Sequence, residues 1–434
     1  SFFYRQTRRI TRILMWTLYN LAVKIFFKSI RFAAIWRKDA KLWVEGRKNF
    51  FENLESLYVQ KIHNRQSCLW IHVASLGEFE QGRPLIEKIR SEYPGLPICL
   101  SFFSPSGYEI RKNYEGADLV CYFPSDLKDE ISRFIDLIRP LAVIFVKYDF
   151  WFNTLRELTY RHIPYYFISV HLPEKVYLRK SFMSPLLNEL KNAEGIFVQQ
   201  EEDLHFFLSR NFARVWRAGD TRIDRVLQLT EHAIEQEAVE QFIHGHPCLI
   251  AGSAWLPELH LISQIAEVLI ASGWKIIIAT HHTDEEILRQ TEELFRGQCC
   301  RYGDSVHPGD IMIIDRIGLL NTLYRYAHLA LVGGGFGKGI HNTLEPAAFG
   351  IPLCFGPNYE KFIEANDFVR LGIARVVKTS DDLLSVAQSC LDVDFVAAHK
   401  KKIGQWMHDH QGATQFIFEK IQPIISRSAQ QATR

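Results

Sequence analysis

Residues Ile71 to Gln81 read IHVASLGEFEQ, and the fold turns on this stretch. The apolar run Leu69 to Val73 has the length and composition of a buried strand, and the glycine-bearing segment after it predicts a helix starting near Gln81 to Pro84. In an open α/β sheet the loop at a strand's carboxyl end opens into the ligand crevice, so Ser75 to Glu80 are expected to face a site. Gly77 lets backbone approach a ligand closely. Glu78, a carboxylate at a helix start, is a candidate base. A charge interacting with the helix dipole explains Glu78 equally well at this point, and it is the better account of Glu80.

Outward from this stretch, short β-rich runs alternate with helical stretches. Strands are expected at Leu69–Val73, Ile98–Phe103, Leu119–Phe123, Ala142–Val146, Tyr165–Val170, Ile196–Gln199 and Arg214–Ala218. A polar, helix-like stretch from Gly219 to Pro247 breaks the rhythm. A second series follows at Leu249–Ala251, Lys275–Ile278, Ile311–Ile314, Leu329–Val332, Ile351–Phe355 and Ala374–Val377. Such alternation predicts two doubly wound parallel sheets facing a cleft. The expected divisions are a basic start at 1–48, a first Rossmann-like domain at 49–227 and a second at 228–405. The last long helical region runs from Phe395 to Ile425, and a C-terminal helix at 406–434 is expected to cross back to the first domain.

The 434 residues suffice for two full cores, and the net charge of +2 hides an asymmetry. Residues 1–48 hold twelve Lys and Arg against two Asp and Glu, a net +10 that leaves −8 on the rest. Thr17, Asn20, Lys24, Lys28 and Arg31 recur every three or four positions on a helix otherwise rich in Leu, Ile, Trp and Phe. This is the pattern of a helix in a membrane interface, cations toward anionic headgroups, and a helix packed on the protein's own core is the competing reading. Arg12, Lys24, Lys28 and Arg31 interrupt the apolar run too often for a spanning helix. No small-residue cleavage site follows it, which argues against a signal peptide. Eight cysteines, scattered without a CxxC pair, fit a reduced compartment, and neither Cys299–Cys300 nor His281–His282 has metal-ligand spacing.

The densest glycine stretch is Leu331 to Gly350, LVGGGFGKGIHNTLEPAAFG. A strand ends at Val332, Gly333, Gly334 and Gly335 form a turn, and amides near His341 and Asn342 lead into a helix whose start is suited to phosphate. Lys338 is followed by Gly339, so this is no Walker A loop, and GxGxxG is absent. Glu345, one turn into the helix, is placed to accept two ribose hydroxyls.

The ordered set SLGE (75–78), DFWFN (149–153), QEEDLHFF (200–207), GDTRID (219–224), the GGG loop and HNTLEPAAFGIPLCFGPN (341–358) resembles the 3-deoxy-D-manno-octulosonic acid (Kdo) transferases of Gram-negative bacteria. The resemblance runs from about Trp43 to Ala413. It implies a GT-B glycosyltransferase moving Kdo from the co-substrate CMP-Kdo to a lipid A precursor, inverting at the anomeric carbon, with no metal or other cofactor and no nucleic acid. It places the enzyme at the anionic cytoplasmic face of the inner membrane. Glu78 matches the family's base, and Ser75 lies on the same motif.

Asp149 falls on the second acid of the family's E-T-E-[LI]-W-P-N motif, as acceptor contact or support for Glu78, and Lys147 stands where the first Glu would be. Arg222 and Asp224 match a hinge segment. On the donor side, Ser253 and Glu258 match S-T-H-x-x-E with Trp255 in place of His. His281 matches P-R-H-P with Thr280 in place of Arg, which is expected to shift phosphate and carboxylate binding onto the loop amides, Arg222 and Lys338. Asp315 and Gly318 are expected to cap the following helix. Two other readings stand beside this one: a GT-B transferase or epimerase using UDP, and a non-catalytic membrane-associated scaffold.

Overall fold

The computed structural model describes residues 2–62, 66–173, 180, 183–231, 234–295, 298–304, 309–316 and 318–432, with side chains placed from residue 14 to residue 427 within those ranges. Two compact units result, one formed by residues 1–222 and 412–434, the other by 223–411.

In the first unit a seven-stranded parallel sheet comprises β1 (Cys68–Val73), β2 (Ile98–Phe102), β3 (Leu119–Tyr122), β4 (Pro140–Val146), β5 (Tyr165–Val170), β6 (Gly195–Val198) and β7 (Val215–Arg217), in the order β3-β2-β1-β4-β5-β6-β7. The chain winds one way from β1 to β3 and the other way from β4 onward, so β1 and β4 flank the switch point. Every residue of β1 is buried. The near-continuous apolar run is what a strand covered on both faces requires. Cys68 and Trp70 belong to one core layer, Leu69, Ile71 and Val73 to the other. That second layer takes Ile417, Phe418, Ile421 and Ile425 from the helix Ala413–Ala432. This helix is separate from Val393–His410: Gly412, at φ +95°, breaks the expected single helical region.

Ahead of the sheet come α1 (Phe2–Ala33), α2 (Lys38–Glu45) and α3 (Phe50–Lys61). Trp16, Val23 and Phe27 fix α1 to the unit, while Leu14, Leu18, Leu21 and Ile25 on the opposite face are exposed. Thr17, Lys24, Lys28 and Arg31 are exposed between these faces. Asn20 departs from the expected stripe, because its Oδ1 accepts from Asn153 Nδ2 at 2.8 Å and turns inward. The Arg12 side chain lies outside the described residues. No helix among the described residues is long and apolar enough to cross a membrane.

The second unit repeats the scheme with β8 (Cys248–Ala254), β9 (Lys275–Thr280), β10 (Cys299–Arg301), β11 (Ile311–Ile314), β12 (Leu329–Val332), β13 (Leu353–Phe355) and β14 (Ala374–Val376), all parallel, in the order β10-β11-β9-β8-β12-β13-β14. Its switch point lies between β8 and β12. β10 is an edge strand of three residues, too short for its sequence to announce.

Candidate active site

After β1 the chain enters α4 (Leu76–Glu92) five residues earlier than its sequence suggests. The glycines and Pro84 read as helix breakers, but a local box overrides them. Ser75 is the N-cap and its Oγ accepts from the Glu78 amide at 3.4 Å, while Glu78 Oε2 accepts from the Ala74 amide at 2.5 Å. Glu78 therefore stands on the first helical turn, not on a loop. Gly77 is exposed, and a Cβ there would have only Ser75 Oγ nearby, at 3.9 Å.

Burial pushes the Glu78 carboxyl up to about 7, and the charge of Asp149 adds to the rise; the amides of Ala74 and Ser75 and the charge of Lys147 pull the other way. Desolvation and a like charge both disfavour ionisation, and here they outweigh two hydrogen bonds and a cation.

Asp149 follows β4, across the switch point. Its Oδ2 accepts from His72 Nε2 and from Trp151 Nε1, each at 2.8 Å. His72, fully buried in β1, meets Ser101 Oγ through Nδ1 at 2.8 Å, and Trp70 Nε1 donates to the same oxygen at 2.8 Å. An indole can only donate, so Ser101 Oγ accepts from Trp70, and the Asp149 carboxylate, which can only accept, takes the hydrogen bond from His72 Nε2. A chain of three core side chains thus orients the acid. The motif reading named Asp149 and missed the chain, whose signal was a histidine and a serine inside otherwise apolar strands.

Lys147, half-buried at the end of β4, has φ +63°, the left-handed region, and its amide bonds Ile168 O at 2.8 Å. Non-glycine residues held there concentrate at functional sites. Its charge acts on Glu78 and also on Asp220, so it is more than a solvated strand end. Burial works against the Asp220 carboxylate, but Arg222 and Lys147 more than offset it and hold its pKa below the ordinary range. Arg222 grips Asp220 with Nε at 2.9 Å and Nη2 at 2.6 Å from Oδ2. The structure places Arg222 in the first unit with its charge matched by Asp220, a partner that sequence reasoning passed over.

In the second unit Trp255, His281 and the GGG loop follow β8, β9 and β12, three neighbouring strands. The glycines serve a different end from the one expected. A Cβ on Gly333 would lie 2.1 Å from Ser253 O, and one on Gly335 would lie 2.4 Å from Gly356 N. Gly334 has φ +90°. The Gly333 amide donates to Gly252 O, the Gly334 amide to Glu258 Oε1 at 2.8 Å, and the His341 amide to Gly333 O. These amides are committed inside the protein, so they are not the phosphate cradle. The helix that follows, Leu344–Ala348, spans only five residues.

Glu258, fully buried, pins the turn by also accepting from the Trp255 amide at 3.1 Å, and burial raises its pKa against those hydrogen bonds. Ser253 contributes its backbone, in the left-handed region at φ +52°.

The second unit's polar side chains form a planar stack. The His281 ring stacks on Trp255 at 4.3 Å and on His341 at 4.5 Å, and Trp255 Nε1 donates to His341 Nε2 at 3.0 Å. That bond puts the His341 proton on Nδ1. Burial, reinforced by His341 and His282, pushes His281 down to about 4, and burial also lowers His341. Both rings are neutral at pH 7, suited to directional hydrogen bonds rather than charge. Asn342 Nδ2 donates to Glu345 Oε1 at 3.0 Å, and Lys338 is exposed on the loop. Asp315 does not cap a helix: Leu319 precedes Leu320–Leu323 with no side-chain bond, and Asp315 Oδ1 lies 3.5 Å from Arg316 Nε. No group of three or more metal-ligating side chains occurs among the described residues.

Residues 48–225 match a family model described as 3-deoxy-D-manno-octulosonic-acid transferase (kdotransferase). A 3-deoxy-D-manno-octulosonic acid transferase of Aquifex aeolicus is 26% identical over 349 residues, covering 79% of this chain and 92% of the relative. One from Haemophilus influenzae is 23% identical over 376 residues, covering 83% and 88%. Among solved structures, a UDP-GlcNAc 2-epimerase from Neisseria meningitidis bound to UDP-GlcNAc superposes with a TM-score of 0.56 at 16% identity, covering 82% of this chain and 100% of that one. A glycosyltransferase from Rickettsia africae superposes at 0.53 with 10% identity, covering 83% and 99%. These two likenesses establish the architecture, two parallel-sheet domains of the GT-B type.

Proposed function

Because the chain belongs to the Kdo transferase family, we propose that it transfers Kdo from CMP-Kdo to a hydroxyl of a lipid A precursor, with inversion at the anomeric carbon. The observation that carries this reading is Glu78, a carboxylate at a sheet switch point whose pKa is lifted to about 7. A base is most effective when its pKa lies near the working pH, because it is then ionised and still basic enough to take a proton.

In the proposed step the acceptor hydroxyl oxygen attacks the anomeric carbon. Its proton passes to Glu78 as the bond to the CMP phosphate breaks, and CMP leaves with the bonding electrons. Asp149, held by His72 and Trp151, keeps the base's pKa high and orients the acceptor. Lys147 moderates the charge of the pair. On the donor side, Asn342 and Glu345 take the ribose, and the neutral His281 and His341 present N–H donors to the phosphate and the Kdo carboxylate, with Lys338 adding charge. CMP-Kdo is a co-substrate, and protein groups alone meet the charge of the leaving phosphate.

The place of action we infer is the cytoplasmic face of the inner membrane. Its support is α1: the exposed row Leu14, Leu18, Leu21 and Ile25 matches the acyl boundary, and Lys24, Lys28 and Arg31 beside it match anionic headgroups. The test is release of CMP from CMP-Kdo by the full chain in detergent, with and without lipid IVA. Release that requires lipid IVA is expected. Release independent of acceptor, no release, or turnover with UDP-sugars instead would overturn the proposal.

A further inference from the structure

Beside the Glu78 site lies a cavity of about 510 Å³ at the junction of α1, α2 and α3 with the segment after β3. Its lining carries Arg31, Arg47, Lys48 and Arg133 against two carboxylates, Glu52 and Glu130. The sheet order β3-β2-β1-β4 sets its position. Arg47 Nη2 donates to Phe103 O, just past β2, and to Phe123 O, just past β3, whereas Glu78 and Asp149 follow β1 and β4. Arg47 therefore sits at the same carboxyl end of the sheet as the proposed base, one to two strands away, roughly 5–10 Å at the usual strand spacing. One aromatic layer separates the two: Trp151, which bonds Asp149, packs on Phe103 at 5.3 Å and Phe123 at 5.4 Å.

The cavity is short of negative charge. Arg47 is half-buried against three backbone carbonyls, Trp43 O, Phe103 O and Phe123 O, and lies over the Trp43 ring at 3.8 Å. None of these hydrogen-bond partners carries a charge; desolvation pushes the Arg47 pKa down to about 9, against an opposing pull from neighbours that include the Glu130 carboxylate. Of the two carboxylates, Glu130 accepts from the Ser125 amide at 3.1 Å, and Glu52, 69% exposed, reaches Arg133 only at 3.9 Å. A half-buried cation whose hydrogen bonds go only to neutral carbonyls is stabilised by an anion brought into the same cavity, and three more cations line the wall. Arg31 of the lining is followed along the chain by Phe32, Ile35 and Trp36, exposed at 65%, 75% and 63%. Charge and apolar surface thus meet in the order in which a lipid presents headgroup and chain.

We propose that this cavity is a phosphate subsite, seating the phosphate of a lipid whose acyl chain lies along the exposed residues at the end of α1. The site rests on the membrane-surface reading for its lipid, but not on the transfer chemistry.

The test uses the full chain in dodecyl maltoside, titrated with inorganic phosphate and, separately, with dodecyl phosphate diluted into the micelles, followed by ³¹P line broadening. Saturable binding is expected, at least tenfold tighter for dodecyl phosphate. A Lys48→Glu/Arg133→Glu double variant should weaken dodecyl phosphate binding at least tenfold, and Lys61→Glu/Lys191→Glu, with the same change in net charge, no more than twofold; unchanged circular dichroism certifies the fold of both. Absence of saturable binding, or equal losses in the two double variants, overturns the subsite. Equal affinity for the two probes overturns the lipid as its source. If dodecyl phosphate binds as expected while CMP release fails, the transferase reading falls and the subsite stands.

Discussion

Replacing Glu78 with Gln should make the protein more stable and inactive at once. The ordinary carboxyl value of 4.5 stands about 2.5 units below the folded value of about 7, and each unit is worth about 1.4 kcal/mol. Folding therefore tightens proton binding at this residue. Below about pH 4.5 the group is protonated in both states and contributes nothing. As the pH rises through the interval from 4.5 to 7 the unfolded chain ionises first, stability is lost, and above 7 the loss levels off near 3 kcal/mol. A glutamine retains an acceptor for the Ala74 amide and carries no charge to desolvate, so it removes the penalty without orphaning the backbone. Hydrogen exchange of the β1 amides reports the first unit alone. Comparing the variant with its parent at pH 5 and pH 8 should show a small gain at the first and about 3 kcal/mol at the second. Turnover should fall by about 10²–10⁴, the usual contribution of a general base. A stability difference that does not grow with pH would show that Glu78 has an ordinary pKa, and the argument for a poised base would collapse.

The pH dependence of kcat/KM should show an acid limb near pH 7, below which the rate drops tenfold per unit; Asp149→Asn, by removing the like charge, should move that limb about one unit lower, and an unmoved limb would uncouple the two acids. Trp255→Phe keeps the stack but removes the donor to His341 Nε2, so donor KM should rise several-fold with melting unchanged, and an NMR spectrum should show His341 no longer confined to one tautomer. Gly333→Ala, whose Cβ would meet Ser253 O at 2.1 Å, should destabilise the second unit by about 3 kcal/mol, whereas Gly77→Ala, with open space around it, should stabilise α4 by about 0.5–1 kcal/mol; thermal melts decide both. Leu18→Asp/Leu21→Asp/Ile25→Asp on the outer face of α1 should reduce binding to anionic vesicles at least tenfold while leaving the fold intact, and undiminished flotation with vesicles would place membrane contact elsewhere.

Much of the candidate site was legible because its parts are local. Ser75 and Glu78 lie on one short motif, and the glycine cluster announced a turn after a strand. Glycine and proline propensities alone do not reveal the start of α4, which is set by the bonds of the Glu78 amide to Ser75 Oγ and of the Ala74 amide to the Glu78 carboxylate, a local device that five residues encode. The glycines of the second loop were read as ligand contacts because a sequence cannot tell a backbone that must approach a phosphate from one that must approach Ser253 or Gly356.

The sequence alone determined the two parallel sheets and the succession of their strands apart from β10, because strands buried on both faces must be apolar throughout and helices between them must alternate. It also determined which carboxylate follows β1. Only the tertiary structure decided how readily this carboxylate gives up its proton. His72 reaches Asp149 across 77 positions and Trp255 reaches His341 across 86. The pKa of Glu78 is set by burial and by the charge of Asp149, neither of which exists until the switch point brings β1 and β4 side by side.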